Sequence, residues 1–238
     1  MIRRNIRLLI AALLFTCNGE LKATAPVLIY DNSVNALSPR ALFNPGTIEV
    51  GDEIILAGTE RYLQAFSFQF WGTNTAAANT TSFSGSVQAR VKFYQNDGLA
   101  FNGYPTPSTV LYDSGLFAVP FAPTGNNFNF TAGPDFPAGG LFLAGPGGTL
   151  LTNMTWSVQF SGMDPTDAVG VESFSPPVVG GNYSDYWQNN GGWTLQTNTV
   201  PMNFAATFSA TPEPSVFALA ISGGLGLLAV RRWSSRKK

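Results

Sequence analysis

The chain has no histidine among its 238 residues, and it has a single cysteine, Cys17. Histidine is the most common general base and metal ligand in proteins. Its absence excludes a Ser-His-acid triad and zinc sites built from cysteine and histidine. One cysteine cannot form an intramolecular disulfide, so burial of side chains has to stabilise the fold.

Charged side chains are scarce and unevenly distributed. Of the 13 Lys and Arg residues, four lie before residue 26, five lie after residue 230, and four lie between residues 26 and 211. That central segment, which we call the body, holds 12 of the 14 acids and has a net charge of −8. Because phosphate binding needs clustered Lys and Arg, nucleic acid is not an expected partner. The negative charge is compatible with a soluble extracellular domain that attracts cations.

Residues 1–25 have the pattern of a secretory signal peptide, which we expect to be helical. An apolar run over residues 8–15 is too short to span a membrane. It follows three arginines: Arg3, Arg4 and Arg7. Small residues predict cleavage after Ala25, with cleavage after Ala23 as the alternative. Lipidation of Cys17 is a further alternative, but the two residues before it are larger than those that usually precede a lipidated cysteine. The expected partners are the Sec translocon and signal peptidase.

Residues 212–238 combine three features of a sorting signal. The first is a triplet of Pro212, Glu213 and Pro214. The second is an apolar run over residues 215–230, which predicts a transmembrane helix because it has no polar face. The third is a basic tail typical of a stop-transfer end. Its basic residues are Arg231, Arg232, Arg236, Lys237 and Lys238. The apolar run would reach about 24 Å, short of a hydrocarbon core of roughly 30 Å, which suits a temporary tether.

Triplet, span and basic tail in this order resemble the PEP-CTERM sorting domain of Gram-negative bacteria that make exopolysaccharide. The resemblance covers residues 212–238 only. It implies that an exosortase, a membrane protease-transpeptidase, recognises Pro212, Glu213 and Pro214, and that the mature product keeps no membrane helix. Three body segments, at residues 91–98, 107–115 and 186–195, are similar to a pattern in other PEP-CTERM proteins of this size. They imply a shared β-sandwich body without an established activity.

The body is rich in residues that favour strands and turns, and it shows no helical stripe. Apolar and polar residues alternate over 64–71 and 86–95, which predicts two strands. Shorter strands are predicted at residues 27–30, 53–57, 110–112, 128–131, 155–160 and 203–208. Turn clusters lie at residues 96–98, 124–126, 145–148 and 189–192. The pattern predicts an all-β fold with a single antiparallel β-sandwich of jelly-roll-like topology over residues 26–211.

Two groups of residues in the body are candidate binding sites. Oxygen ligands for Ca²⁺ are offered by Asn96, Asp97 and Asp113. Turn formation is the alternative interpretation of these residues, and no other cofactor is expected. Aromatic side chains beside an Asn/Gly-rich turn would stack on a sugar if they were exposed, and core packing is their alternative role. They are Tyr183, Tyr186, Trp187 and Trp193.

The acids of the body do not form a recognisable catalytic pair. Two carboxylates about 5–10 Å apart can cleave glycosides without histidine, but these acids are scattered, as at Asp164, Asp167 and Glu172. We therefore expect a non-enzymatic protein with a structural or interaction role. It would begin as a precursor tethered to the inner membrane and end at the cell surface or in the extracellular matrix. A carbohydrate-binding module for exopolysaccharide is the second hypothesis, and a glycoside hydrolase or lyase is the third.

Overall fold

A computed structural model describes residues 25–76, 81–197 and 203–212, without the side chains of residues 38–41. Within these ranges the chain forms fourteen β-strands and one 3₁₀ turn, and every strand pair is antiparallel. The strands are β1 (Val27–Asp31), β2 (Ala36–Phe43), β3 (Glu49–Ile55), β4 (Tyr62–Asn74), β5 (Gln88–Phe101), β6 (Tyr104–Ala118), β7 (Ala122–Thr131), β8 (Leu141–Phe142), β9 (Asn153–Ser161), β10 (Asp167–Phe174), β11 (Gly181–Asn182), β12 (Asp185–Asn189), β13 (Trp193–Thr197) and β14 (Ala206–Thr211). The all-β prediction is confirmed.

The strands assemble into two sheets. The first has the order β1-β14-β4-β10-β2, and β7 and β8 also pair with β4. The long strand β4 is its centre, because β14 and β10 pair along one side of it while β7 and β8 pair along the other. The second sheet has the order β13-β12-β3-β9-β5-β6, with β11 pairing with β3.

The apolar core lies between the two sheets. Phe66, Phe68 and Phe70 alternate along β4 and are fully buried, as their period of two predicts. Phe66 meets Phe93 of the second sheet with ring centroids 5.0 Å apart, and Phe68 lies 5.7 Å from Trp156. Aromatic rings at such distances bury large apolar areas and add specific ring contacts. The two sheets therefore share one core.

Each of the eight predicted strands overlaps an observed strand, but two predicted turns are wrong. Residues 96–98 lie inside β5 and residues 124–126 lie inside β7. The chain instead reverses at Asn102 and Gly103, whose φ angles of 52° and 89° suit a tight hairpin. The cluster at 96–98 marks an irregular register between β5 and β6, where a Cβ at Gly98 would clash with Thr106. The turn clusters at 145–148 and 189–192 do connect elements.

We call the face of the second sheet that points away from the first sheet its outer face. The second sheet curls so that its two ends approach each other across this outer face. Four strand spacings separate β13 from β5, or about 19 Å in a flat sheet. Yet Cα atoms of β13 lie within 8 Å of β5 and of β6, and the rings of Trp193 and Tyr94 are 5.4 Å apart. The curl shields the middle of the outer face, where Thr155 and Ser157 are fully buried.

The predicted membrane-associated segments lie outside the described residues. These are the signal peptide, apart from Ala25, and the apolar span at 215–230. In the part of the chain that the structure describes, no helix has the length and apolar character needed to cross a bilayer.

Candidate functional site

Of the predicted sorting triplet, the structure describes Pro212 alone. It is exposed and directly follows β14. Thr211, the last residue of β14, accepts a hydrogen bond from Gln64 Nε2 at 3.1 Å. Glu213, Pro214 and the basic tail lie outside the described residues.

The four aromatic residues predicted to bind sugar do not form one surface. Tyr186 and Trp187 are only 8% and 1% exposed, because β12 lies between β13 and β3 and both of its faces are covered. Tyr186 packs in the core 5.1 Å from Phe43, and Trp187 Nε1 donates to Glu53 Oε2 at 3.4 Å. The prediction that these two rings are open for stacking is therefore wrong.

The other two aromatic residues of that group differ from each other. Tyr183 is 44% exposed, whereas Trp193 is half-buried and packs edge-on against Tyr94. Neither ring contributes to the groove described below. A sugar site that uses them stays a prediction.

The three residues predicted as calcium ligands each have a separate partner. Arg90 donates two hydrogen bonds to the carboxylate of Asp113. Thr109 donates to both oxygens of Asp97, and Thr155 Oγ1 donates to Asn96 Oδ1 at 2.7 Å. These bonds lower the pKa of Asp97 and of Asp113.

The structure therefore does not bring the predicted calcium ligands together. Among the residues with described positions, no group of three acids, histidines or cysteines could hold a metal ion. Their oxygens are engaged by different neighbours along the β5–β6 ribbon, and a calcium site at these residues stays a prediction.

Asp167, one of the scattered acids, has a structural role. Its carboxylate accepts hydrogen bonds from the backbone N–H groups of Ser84, Gly85 and Asp164 and from Asn74 Nδ2, all at 2.7–3.0 Å. Burial raises its pKa, but these bonds outweigh burial and the net pKa is lowered. Asp167 thus fastens the segment before β5 to the β9–β10 connection.

A polar cluster with a buried carboxylate at its centre lies on the outer face of the second sheet. We call it the Glu49 cluster, and it consists of Glu49, Lys92, Tyr94, Ser157 and Asn189. Glu49 Oε1 accepts hydrogen bonds from Tyr94 Oη at 2.8 Å and from Ser157 Oγ at 2.7 Å. Glu49 Oε2 accepts from Asn189 Nδ2 at 3.2 Å and pairs with Lys92 Nζ at 3.4 Å. The carboxylate thereby joins β3, β5, β9 and β12.

The Glu49 cluster uses its polar groups internally. Lys92 Nζ also lies 5.7 Å from the centre of the Tyr94 ring. Burial, with the neighbouring Glu49 carboxylate, raises the pKa of Tyr94, so this hydroxyl stays protonated. A carboxylate that accepts four partners has little capacity left for a ligand. We therefore assign the cluster to the stability of the curled sheet.

A second buried carboxylate, Asp52, points into the core between the sheets. It is fully buried, and its Oδ2 accepts a hydrogen bond from the backbone N–H of Phe204 at 3.0 Å. Burial raises its pKa well above the usual aspartate value, and the charges of Asp185 and Glu53 add to this. The folded protein therefore keeps this proton at pH values where an ordinary aspartate has released it.

A groove opens where an edge of one sheet, β6, faces an edge of the other, β7, as far as the described residues pair. We call it the edge groove, and its volume is about 340 Å³. From β6 it is lined by Tyr112, Asp113, Ser114 and Phe117. From β7 it is lined by Phe128, Asn129 and Phe130, and the segment after β7 adds Pro134 and Asp135. This size falls in the range of about 300–1,000 Å³ typical of small-ligand sites.

The edge groove has an aromatic floor and a polar rim. Phe117 lies 4.8 Å from Phe128 and 5.5 Å from Phe130, so rings from both sheets meet below the opening. Burial, Asp135 and Asp113 together raise the pKa of Tyr112 to about 12. At neutral pH its hydroxyl is therefore protonated beside two carboxylates. The groove can accept hydrogen bonds from a ligand and stack on its apolar faces.

Sequence reasoning missed most of the edge groove. The strands that line it were predicted at residues 110–112 and 128–131, but no local pattern shows that they meet across two sheets. Asp135 lies outside every predicted strand and has no motif around it. The available signal was the alternation that turns Phe128 and Phe130 to the same side of β7.

Comparison of the chain with protein-family models, with curated proteins and with solved structures finds no match.

Proposed function

We propose that the protein is an exported, non-enzymatic component of the cell surface or extracellular matrix, and that an exosortase processes its C-terminal end. The observation that carries the proposal is the order of features along the chain. A leader with an apolar core precedes a body without cysteine or histidine, and the Pro-Glu-Pro triplet, apolar span and basic tail follow it. In the proposed pathway the precursor is tethered to the inner membrane before processing.

The two antiparallel sheets support a β-sandwich, and we propose that its topology is a jelly roll. Eight of the strands have the orders β1-β14-β4-β7 and β3-β9-β5-β6. Counted along the chain, these are first-eighth-third-sixth and second-seventh-fourth-fifth, the interleaving of two Greek keys. The other six strands extend this framework.

A non-enzymatic role is supported by how the acids of the body are used. Asp167 is held by four hydrogen bonds, and Glu49 is held by four partners. Asp113 at the edge groove is paired with Arg90, and its pKa is lowered. A general acid for glycoside cleavage needs a raised pKa instead. The groove therefore favours binding over hydrolysis.

Carbohydrate binding is the second candidate function. The aromatic group that first suggested it is partly buried, but the edge groove combines rings and hydrogen-bond acceptors at an accessible site. Binding to exopolysaccharide is compatible with a surface or matrix location.

Replacement of Pro212, Glu213 and Pro214 by alanine tests the sorting proposal. We expect the variant to accumulate as a longer, membrane-retained form, because the exosortase no longer recognises it. Immunoblots of membrane and extracellular fractions measure this. A variant that matures to the normal size would show that the triplet is not the recognition element. Replacement of Thr211 by alanine is the control, since it leaves the triplet intact.

A further inference from the structure

We propose that the edge groove between β6 and β7 binds a neutral saccharide. This inference deepens the carbohydrate-binding candidate above, and it assigns the site to residues that the sequence did not suggest. The proposed ligand is an uncharged sugar with an apolar ring face and several hydroxyl groups.

The floor of the groove suits the apolar face of a sugar ring. Phe117 and Phe128 are each half-buried and lie at the junction of the two sheets. Tyr112, also half-buried, continues this floor and packs 4.9 Å from Phe136 in an edge-on contact. These contacts fix the rings before a ligand arrives, which limits the entropy lost on binding.

The rim of the groove suits hydroxyl groups rather than a cation. Arg90 already compensates the charge of Asp113 through two hydrogen bonds. In the second rim carboxylate, Asp135, Oδ2 accepts a hydrogen bond from the backbone N–H of Thr131 at 2.8 Å. Asn129, an exposed residue that also lines the groove from β7, adds further polar groups at its border. With one of its two carboxylates neutralised, the rim offers acceptors for hydroxyl groups and little net charge for an ammonium group.

The position of the groove suits a chain-like ligand. β6 pairs with β5, and β7 pairs with β4, so each strand has one side that faces no other strand in the described residues. Such edges carry backbone N–H and C=O groups open to hydrogen bonding. A groove bordered by two edges is open along the strands, so a saccharide can extend beyond the space that one sugar unit fills.

Two groove variants and one matched control test this assignment in the full-length protein. Asn129→Trp places a bulky ring at the rim, while Asn127→Trp places the same ring on the same strand outside the groove; both asparagines are exposed. Asp135→Asn removes the charge but keeps an oxygen for Thr131. Binding is first screened on an array of neutral and acidic oligosaccharides, and the bound oligosaccharide is then titrated by calorimetry.

We expect a neutral oligosaccharide to bind, and Asp135→Asn to weaken it by about tenfold through loss of a charge-assisted hydrogen bond. Asn129→Trp should weaken binding at least as much, and Asn127→Trp should leave it unchanged. Equal unfolding midpoints show that the variants are folded.

Three results would overturn the inference: no neutral oligosaccharide binds, binding is insensitive to both groove variants, or tetramethylammonium binds in place of any sugar. None of these three results bears on the sorting proposal, because the processing of the same variants is measured separately on immunoblots. Conversely, normal processing of the triplet variant would leave the groove assignment standing.

Discussion

On the inner face of the second sheet, Trp156 and Val158 of β9 pack into an apolar core, whereas Thr155 and Ser157 of the same strand point to the outer face. All four residues are fully buried. The inner face is buried by ring contacts, such as those of Trp156 with Phe66 and Phe68. The outer face is buried by the curl of the sheet and is filled with hydrogen bonds around Glu49.

The comparison shows that alternation along a strand separates residue types but does not decide which face is exposed. An antiparallel sheet commonly has one apolar face on the core and one polar face in water. Here β13 approaches β5 and closes over the polar face. A buried polar face is stable only if its groups find partners, because an unpaired buried group loses its hydration without compensation. The Glu49 cluster meets that requirement.

The largest expected effect is on the inner face. Trp156→Ala should lower the free energy of unfolding by about 3–5 kcal/mol, because it leaves a cavity among packed rings. Urea denaturation of the variant and the parent protein measures the difference. Leu116→Ala on exposed β6 is the control, and its effect should be small. A loss below about 1 kcal/mol for Trp156→Ala would contradict a tightly packed core at this position.

A smaller loss is expected on the outer face. Glu49→Gln keeps the size of the side chain but leaves Lys92 without its ion-pair partner and replaces one acceptor by a donor. Removing one partner of a deeply buried pair costs about 3–5 kcal/mol, and the partial exposure of Lys92 reduces the expected loss to about 2–3 kcal/mol. A Glu49→Gln variant as stable as the parent would show that the outer face is hydrated rather than closed.

Asp52 is a carboxylate on the otherwise apolar inner face. Its burial can be tested through the pH dependence of the free energy of unfolding. Its pKa is raised in the folded protein, so the folded protein keeps this proton at pH values where the unfolded chain has released it. Stability therefore falls as the pH rises above the usual aspartate pKa, with a slope of up to about 1.4 kcal/mol per pH unit.

Asp52→Asn should remove this contribution and make the protein more stable near neutral pH. Thermal unfolding of both proteins across the acidic to neutral range gives the difference curve. A difference that does not vary with pH would contradict a buried, protonated Asp52. Asp97→Asn is the matched control, because the pKa of Asp97 is shifted in the opposite direction.

The smallest expected effect is at Tyr94. Tyr94→Phe removes one hydrogen bond to Glu49 and should cost about 1 kcal/mol. In a double-mutant cycle with Glu49→Gln, the two losses should be less than additive, because the bond that Tyr94→Phe removes is no longer charge-assisted when residue 49 is a neutral amide. Additive losses would place the two residues in independent environments.

Local sequence patterns predicted the framework of the fold. Residues 64–71 and 86–95 alternate over enough positions to identify β4 and β5, the central strand of the first sheet and a long strand of the second. Turn composition was less informative, because residues 96–98 and 124–126 occur inside strands. There the pairing of β5 with β6 and of β7 with β4 outweighs the turn preference of Asn and Gly.

The candidate site could not be predicted, because it depends on contacts between distant residues. Tyr112 and Phe128 have the local sequence of ordinary strand residues, and they form a groove only because the edges of two sheets meet. For Trp187 beside a turn the sequence allows either an exposed sugar-binding ring or a packed one, and the curl of the second sheet buries it. Neither the curl nor the meeting of β6 with β7 has a short-range sequence signal, since both are fixed by strand order.

We propose that export and C-terminal processing deliver this β body to the cell surface. Terminal peptide mapping by mass spectrometry, on protein recovered from the surface or matrix of the producing cells, is the decisive measurement for this proposal. We expect an N-terminus at Pro26 or Thr24 and no peptide from residues 215–238. Recovery of the intact chain from the cytosol, with peptides from both ends present, would contradict it.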